Sequence, residues 1–121
     1  MPGVDKPAAE NIWVLAGDGK LGELLHCIRA GGENGQPMDV NIQDDSGYTP
    51  LHAACSYGHI ELVQSLVQHH EANINIQDND GDAPLHLAET VDMAQTLVEL
   101  GADPEIRNHI GLLVLMVNSG N

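Results

Sequence analysis

Seven histidines and two cysteines, in a chain of 121 residues, are the side chains whose types could support chemistry. Histidine and cysteine bind zinc, and a cysteine beside a histidine can act as a nucleophile with its base. His52 and His86 stand at matching places in two copies of one motif. Helices stack about 8–10 Å apart, whereas zinc needs its nitrogens within about 2.1 Å, so histidines repeated in that way are poorly placed to share an ion. His69 and His70 fall at the end of a predicted helix, where positive charge is mildly favoured by the helix dipole. These histidines read as structural or solvated, with no metal and no cofactor. Cys55, His52 and nearby aspartates can be drawn as nucleophile and base. No nucleophile elbow, phosphate loop or paired-carboxylate motif accompanies them, so no catalytic residue is assigned and an enzyme is not expected.

The elements that position these residues are read best in Gly47 to Gln68, GYTPLHAACSYGHIELVQSLVQ. Thr49 can cap a helix N-terminus, and Pro50 sits where its missing N–H costs nothing. Leu51, His52, Ala53 and Ala54 follow, and Gly58 supplies the left-handed turn that ends this first helix. The next segment carries Ile60, Leu62, Val63, Leu66 and Val67, mostly one apolar stripe at helical period. A helical hairpin this short cannot bury its stripe alone and needs neighbours of the same shape. The motif GYTPLH at residues 47–52 recurs as GDAPLH at 81–86. With TPLHAA at 49–54, GHIELVQSLV in the second helix and Gly101–Ala102–Asp103 after the second helix of the third repeat, the chain resembles the ankyrin-repeat family, whose units are about 33 residues long. The resemblance covers residues 11 to 114 and extends to the short, acidic, stand-alone ankyrin-repeat proteins of fungi.

The fold so implied is an all-α repeat solenoid with β-hairpin-like fingers, two good central repeats and partial terminal ones. Residues 1–10 read as a flexible tail, and 11–121 as the repeat domain, divided near 11–43, 44–77, 78–107 and a partial 108–121. Asn11 is expected to cap Ile12–Ala16, and Leu21, Leu24, Leu25 and Ile28 to form the next apolar stripe. Between Gly19 and Gly47 the chain is longer by about five residues than between Gly58 and Gly81, which places an insertion in the glycine-rich loop at 31–38. Segments 39–44 and 73–78 are near copies read as fingers, with Asn41 and Asn75 holding them through local hydrogen bonds. In the third repeat Val91, Met93, Ala94, Leu97 and Val98 match the earlier stripe, and the piece read as missing is the turn between the two helices. The run 112–117, LLVLMV, is expected either to cap Val91, Ala94 and Val98 or to bury itself in a second copy of the chain.

Charge bounds the partners. Eighteen acidic residues against four basic ones give −14, which repels nucleic acid and anionic membranes and favours a basic protein. The other reading of that charge is solubility of an extended solenoid. No apolar stretch has the length of a membrane span, and Met1–Glu10 has no secretory pattern. Cys27 and Cys55 read as reduced, core-facing thiols, and the expected compartment is cytoplasm, nucleus or both.

The resemblance implies that the TPLH threonine and histidine tie one repeat to the next. This carries to Thr49, Pro50, Leu51 and His52, and in part to Pro84, Leu85 and His86, because Ala83 replaces threonine. It also implies that partners meet the finger tips and the exposed side of the first helix. Those positions are Asp45, Ser46, Tyr48, Ser56 and Tyr57, then Asn79, Asp80 and Asp82. A solvated row of turn residues is the other reading of the same positions. Trp13 reads as a core residue of the first helix, with an anchor for a partner as its alternative. The function expected is protein binding by an adaptor or chaperone-like module for a basic protein. Alternatives are a scaffold joining two proteins and a regulator that blocks an enzyme's active site.

Overall fold

A computed structural model describes residues 12–31 and 37–108. The Asn11 cap, the 32–36 part of the inserted loop and the apolar run 112–117 lie outside the described residues. Among the described residues five α-helices follow in order: α1 (Ile12–Gly17), α2 (Leu21–Ala30), α3 (Pro50–Ser56), α4 (Ile60–His69) and α5 (Val91–Glu99). A 3₁₀ turn, Pro84–Leu87, stands where the first helix of the third repeat would be. The first helices form one row, α1 packing on α3 and α3 on the 3₁₀ turn, while each second helix packs behind its own first.

Local chemistry explains α3. The Thr49 hydroxyl accepts from the His52 N–H, the ring Nδ1 of His52 accepts from the Thr49 N–H at 3.1 Å, and Pro50 opens the helix. At the other end the Gly58 N–H reaches Cys55 O and the His59 N–H reaches Ala54 O, a Schellman closure. It requires the left-handed φ of 82° that Gly58 adopts.

The core is aliphatic. Ile12, Ala16, Leu24, Leu51, Ala54, Leu62, Val63, Leu66, Leu85, Met93 and Leu97 are buried and run continuously through the repeats. Burying each large side chain contributes about 1.5–3 kcal/mol, which the isolated hairpins could not collect. α4 buries Leu62, Val63 and Leu66, with Ile60 and Val67 half-covered. α5 differs: Met93 and Leu97 are buried, but Val91 is 60% and Val98 48% exposed. Among the described residues α5 is the last helix.

Two expectations need correction. The third repeat does not merely lack the turn between helices; its first helix shrinks to the four-residue 3₁₀ turn. Ala83 has no hydroxyl to cap the His86 N–H, and Thr90 already caps α5 by accepting from Met93 N–H at 3.1 Å. The chain must therefore leave the helical conformation at Ala88, which is extended. The second correction concerns Asn41 and Asn75, whose bonds are not local. Asn41 Oδ1 accepts from the Asn73 N–H and Asn41 Nδ2 donates to Glu71 O, while Asn75 Oδ1 accepts from the Asp103 N–H. Each finger thus holds the start of the following one. The glutamines repeat the pattern, Gln43 Nε2 donating to Gly47 O and Gln77 O, Gln77 Nε2 to Gly81 O and Arg107 O.

Candidate functional site

The finger tips are built from Asx turns. Asp44 Oδ1 accepts from the N–H groups of Ser46 and Tyr48, and Asp78 Oδ1 from those of Asp80 and Asp82. Two backbone bonds close each tip, Asp44 N–H to Tyr48 O with Gly47 N–H to Asp44 O, and Asp78 N–H to Asp82 O with Gly81 N–H to Asp78 O. Neighbouring tips are tied through Asn79, whose side chain donates to Asp45 O at 2.8 Å and whose N–H donates to Ser46 O. Gly47 permits this approach: a Cβ there would lie 2.7 Å from the Asn79 backbone nitrogen. The tips form a connected row, exposing Asp45, Ser46, Asn79 and Asp80.

The remaining predicted contact residues are less free. Asp82 is half-buried; its carboxylate accepts from Asn108 Nδ2 and its carbonyl oxygen lies 2.8 Å from His52 Nε2. Tyr48 is half-buried, its ring stacked on His52 with centroids 5.2 Å apart. Burial pushes the Tyr48 phenol up, with the hydrogen bond to Ser56 acting the other way. Ser56 is half-buried beside it, whereas Tyr57 projects with 70% of its surface exposed.

His52 is the joint between the second and third repeats. Its Nδ1 accepts from the Thr49 N–H and faces the Thr49 hydroxyl at 2.8 Å, so Nε2 carries the proton and donates to Asp82 O. Burial pushes the ring below the ordinary histidine value, against the opposing pull of the Asp82 carbonyl and the charges of Asp78, Asp82 and Asp44. The neutral tautomer is therefore the one the architecture uses. Cys55 is buried on the same helix, and burial pushes its thiol up to about 12. With both nitrogens of His52 engaged and Cys55 held as a thiol, this pair packs and bonds rather than reacts. Asp78, Asp80 and Asp82 bring carboxylate oxygens within 4.8 Å of one another, but Asp78 closes its turn and Asp82 holds Asn108. In the third repeat the His86 Nδ1 likewise accepts from the Ala83 N–H, at 2.9 Å, with no hydroxyl at position 83 to join it.

Sequence reasoning left Trp13 out of the site. Its indole N–H donates to Tyr48 O at 2.7 Å, so α1 reaches across to the first tip. Trp13, Val14, Gly17, Asp18, Tyr48, Ala53 and Tyr57 surround a cleft of about 360 Å³ between α1 and α3. The available signal was the equivalence of α1 with α3, which places Trp13 on the row of first helices beside Tyr57.

Stacked helical hairpins joined through side-chain-linked fingers, with an exposed row of tips, define a repeat-built binding module. The family model for "Ankyrin repeats (many copies)" matches residues 33–88, and that for "Ankyrin repeat" matches 80–109. The chain belongs to the ankyrin-repeat family. An ankyrin repeat-containing protein of Schizosaccharomyces pombe is 38% identical over 112 residues, 92% of this chain and 51% of that protein. The human BCL-6 corepressor-like protein 1 is 34% identical over 98% of this chain but only 6% of its own length. The mouse SMC5-SMC6 complex localization factor protein 1 is 52% identical over 31 residues, 26% of this chain and 3% of that protein. The chain thus spans about half the length of the fission-yeast relative and a small part of the others. Ankyrin repeats generally mediate protein–protein interaction and are generally non-catalytic. No helix among the described residues is long and apolar enough to cross a membrane.

Proposed function

We propose that this chain is an adaptor or chaperone-like module that binds a basic protein through its tip row and the exposed side of its first helices. One observation carries the reading: in a chain of charge −14, Asp45 and Asp80 stand exposed on adjacent tips that Asn79 fixes relative to each other. A fixed row of like charges steers an oppositely charged partner and loses less entropy on binding than free side chains would. Cys27 and Cys55 as separate thiols support a reducing compartment, cytoplasm or nucleus, which fractionation of cells expressing a tagged chain would check. The binding test is affinity capture followed by mass spectrometry at rising salt, comparing the natural chain with an Asp45→Lys/Asp80→Lys double variant. Asp82 is left in place because it holds Asn108. Captured proteins should be basic, released by salt and lost with the double variant, whose circular dichroism should not change. Capture that survives both salt and charge reversal would sink the basic-partner reading.

A further inference from the structure

We propose that the cleft between Trp13, Tyr48 and Tyr57 is a socket for one arginine side chain of the partner, an inference that rests on the basic-partner reading above. The chain has one tryptophan, two tyrosines and no phenylalanine, and all three aromatic residues line this cleft. Trp13 and Tyr48 are half-buried with one side packed on the aliphatic core, and Tyr57 stands 70% exposed beside them. Their positions are set by contacts of different kinds. Trp13 is held by its bond to Tyr48 O, and the Tyr48 ring lies against His52 at an interplanar angle of 25°. Tyr57 lies over Gly17, where an added Cβ would meet its ring carbons at 3.1 and 3.3 Å. Tyr57 is held on one side and exposed on the other, as a recognition surface requires.

The chemistry of the walls selects the occupant. Aromatic faces carry a negative quadrupole that attracts a cation, and a flat guanidinium stacks on such faces while keeping donors for a carboxylate. Ala53 adds apolar surface, Asp18 supplies an acid, and no lysine or arginine lines the cleft. Its volume of about 360 Å³ is small among ligand pockets, which suits one long side chain better than a cofactor. The negative charge of the whole chain favours a basic visitor over a neutral or acidic one.

Trp13 is the sole tryptophan, so its fluorescence reports occupancy directly. The intact chain is titrated with a short synthetic peptide carrying one arginine between two lysines. Matching peptides replace the arginine with citrulline, which keeps the shape and removes the charge, or with a third lysine. The arginine peptide should change the emission saturably, and both replacements should weaken binding, citrulline by about tenfold or more. Tyr57→Ala should weaken the arginine peptide by about the same factor, and Tyr57→Phe should restore it to within about twofold of the natural chain. Tyr57 is exposed, so both variants should keep the fold, and circular dichroism checks this. Absence of a saturable response, equal binding of the citrulline or lysine peptide, or indifference to Tyr57→Ala overturns the socket. Failure of the basic-partner reading has another signature: the Asp45→Lys/Asp80→Lys chain then binds the peptide as well as before, while the arginine preference and Tyr57 dependence persist.

Discussion

The second and third repeats share a motif and diverge in what it builds. In the second, Thr49 and His52 cap a seven-residue α-helix, and the His52 ring crosses to Asp82. In the third, the Ala83 N–H still donates to the His86 ring but Ala83 brings no hydroxyl, and the helix contracts to four residues of 3₁₀ turn. The difference teaches that the hydroxyl and the glycine turn act together: without either, the chain reaches Thr90 early and begins its second helix at once. At its far end the comparison reverses. α4 is followed by Glu71, forced to a φ of 62°, where the third repeat has Gly101 at 110° before Ala102. The better-capped repeat carries the strained exit.

The strongest way to break this comparison is to remove the joint. His52→Ala should destabilise the chain by about 3 kcal/mol, because it leaves a cavity and strands the Thr49 N–H and Asp82 carbonyl. His86→Ala should cost about 1 kcal/mol, as that ring is only half-buried. Urea unfolding of both variants gives the difference, and equal losses would mean the two histidines are equivalent joints after all.

Thr49→Ala should cost about 1–2 kcal/mol, while Ala83→Thr should return about 0.5–1 kcal/mol by giving the third repeat the missing hydroxyl. Ala83 is buried, so a gain requires the methyl to be accommodated. A loss on Ala83→Thr would show that space, not the cap, decides the 3₁₀ turn.

Acid should weaken the joint by titration. The His52 ring is pushed down in the folded chain, so the unfolded chain takes up the proton first, near its ordinary value of 6.5. This histidine's contribution is therefore complete above that pH and falls as pH drops through the lower folded value. Denaturation midpoints taken between neutral and mildly acid pH should show the decline, and His52→Gln should flatten it. A decline as steep in His52→Gln would assign it to other groups.

The smallest effect tests the reversed end. Glu71→Gly should stabilise by about 0.5 kcal/mol, since relief of the left-handed strain outweighs the entropy glycine costs the unfolded chain. The Asn41 contact survives because it uses the Glu71 carbonyl. A calorimetric midpoint lower than that of the natural chain would mean the Glu71 side chain contributes something else.

The features legible in the sequence were those decided within a few residues. Thr49, Pro50 and Gly58 announce a cap, a start and a stop by their own chemistry, and the structure uses all three in those ways, whereas the tying role of His52 was legible only through the family resemblance. Asn41 was legible as a hydrogen-bonding residue but not in its reach, because its own Asx turn is made by Asp39, leaving its amide for the next finger. Trp13 was legible as a residue packed on the core, which it is in part, but its place beside Tyr57 was not, because only the stacking of α1 on α3 brings the two together. The exposure of Val91 and Val98 was hidden by a pattern matching that of α4; periodicity specifies a face and not whether a neighbour covers it.

The side-chain amides that join the fingers carry a kinetic consequence. The backbone protons of Asn73 and Asp103 are held by Asn41 and Asn75 of the preceding finger, and both residues face solvent. Their hydrogen–deuterium exchange is therefore slowed by the docking of one repeat on the next rather than by helix structure. These two amides act as separate clocks for the opening of successive repeat interfaces. If Asp103 exchanges faster than Asn73, the array opens from its third repeat inward while the Thr49–His52 joint is still closed.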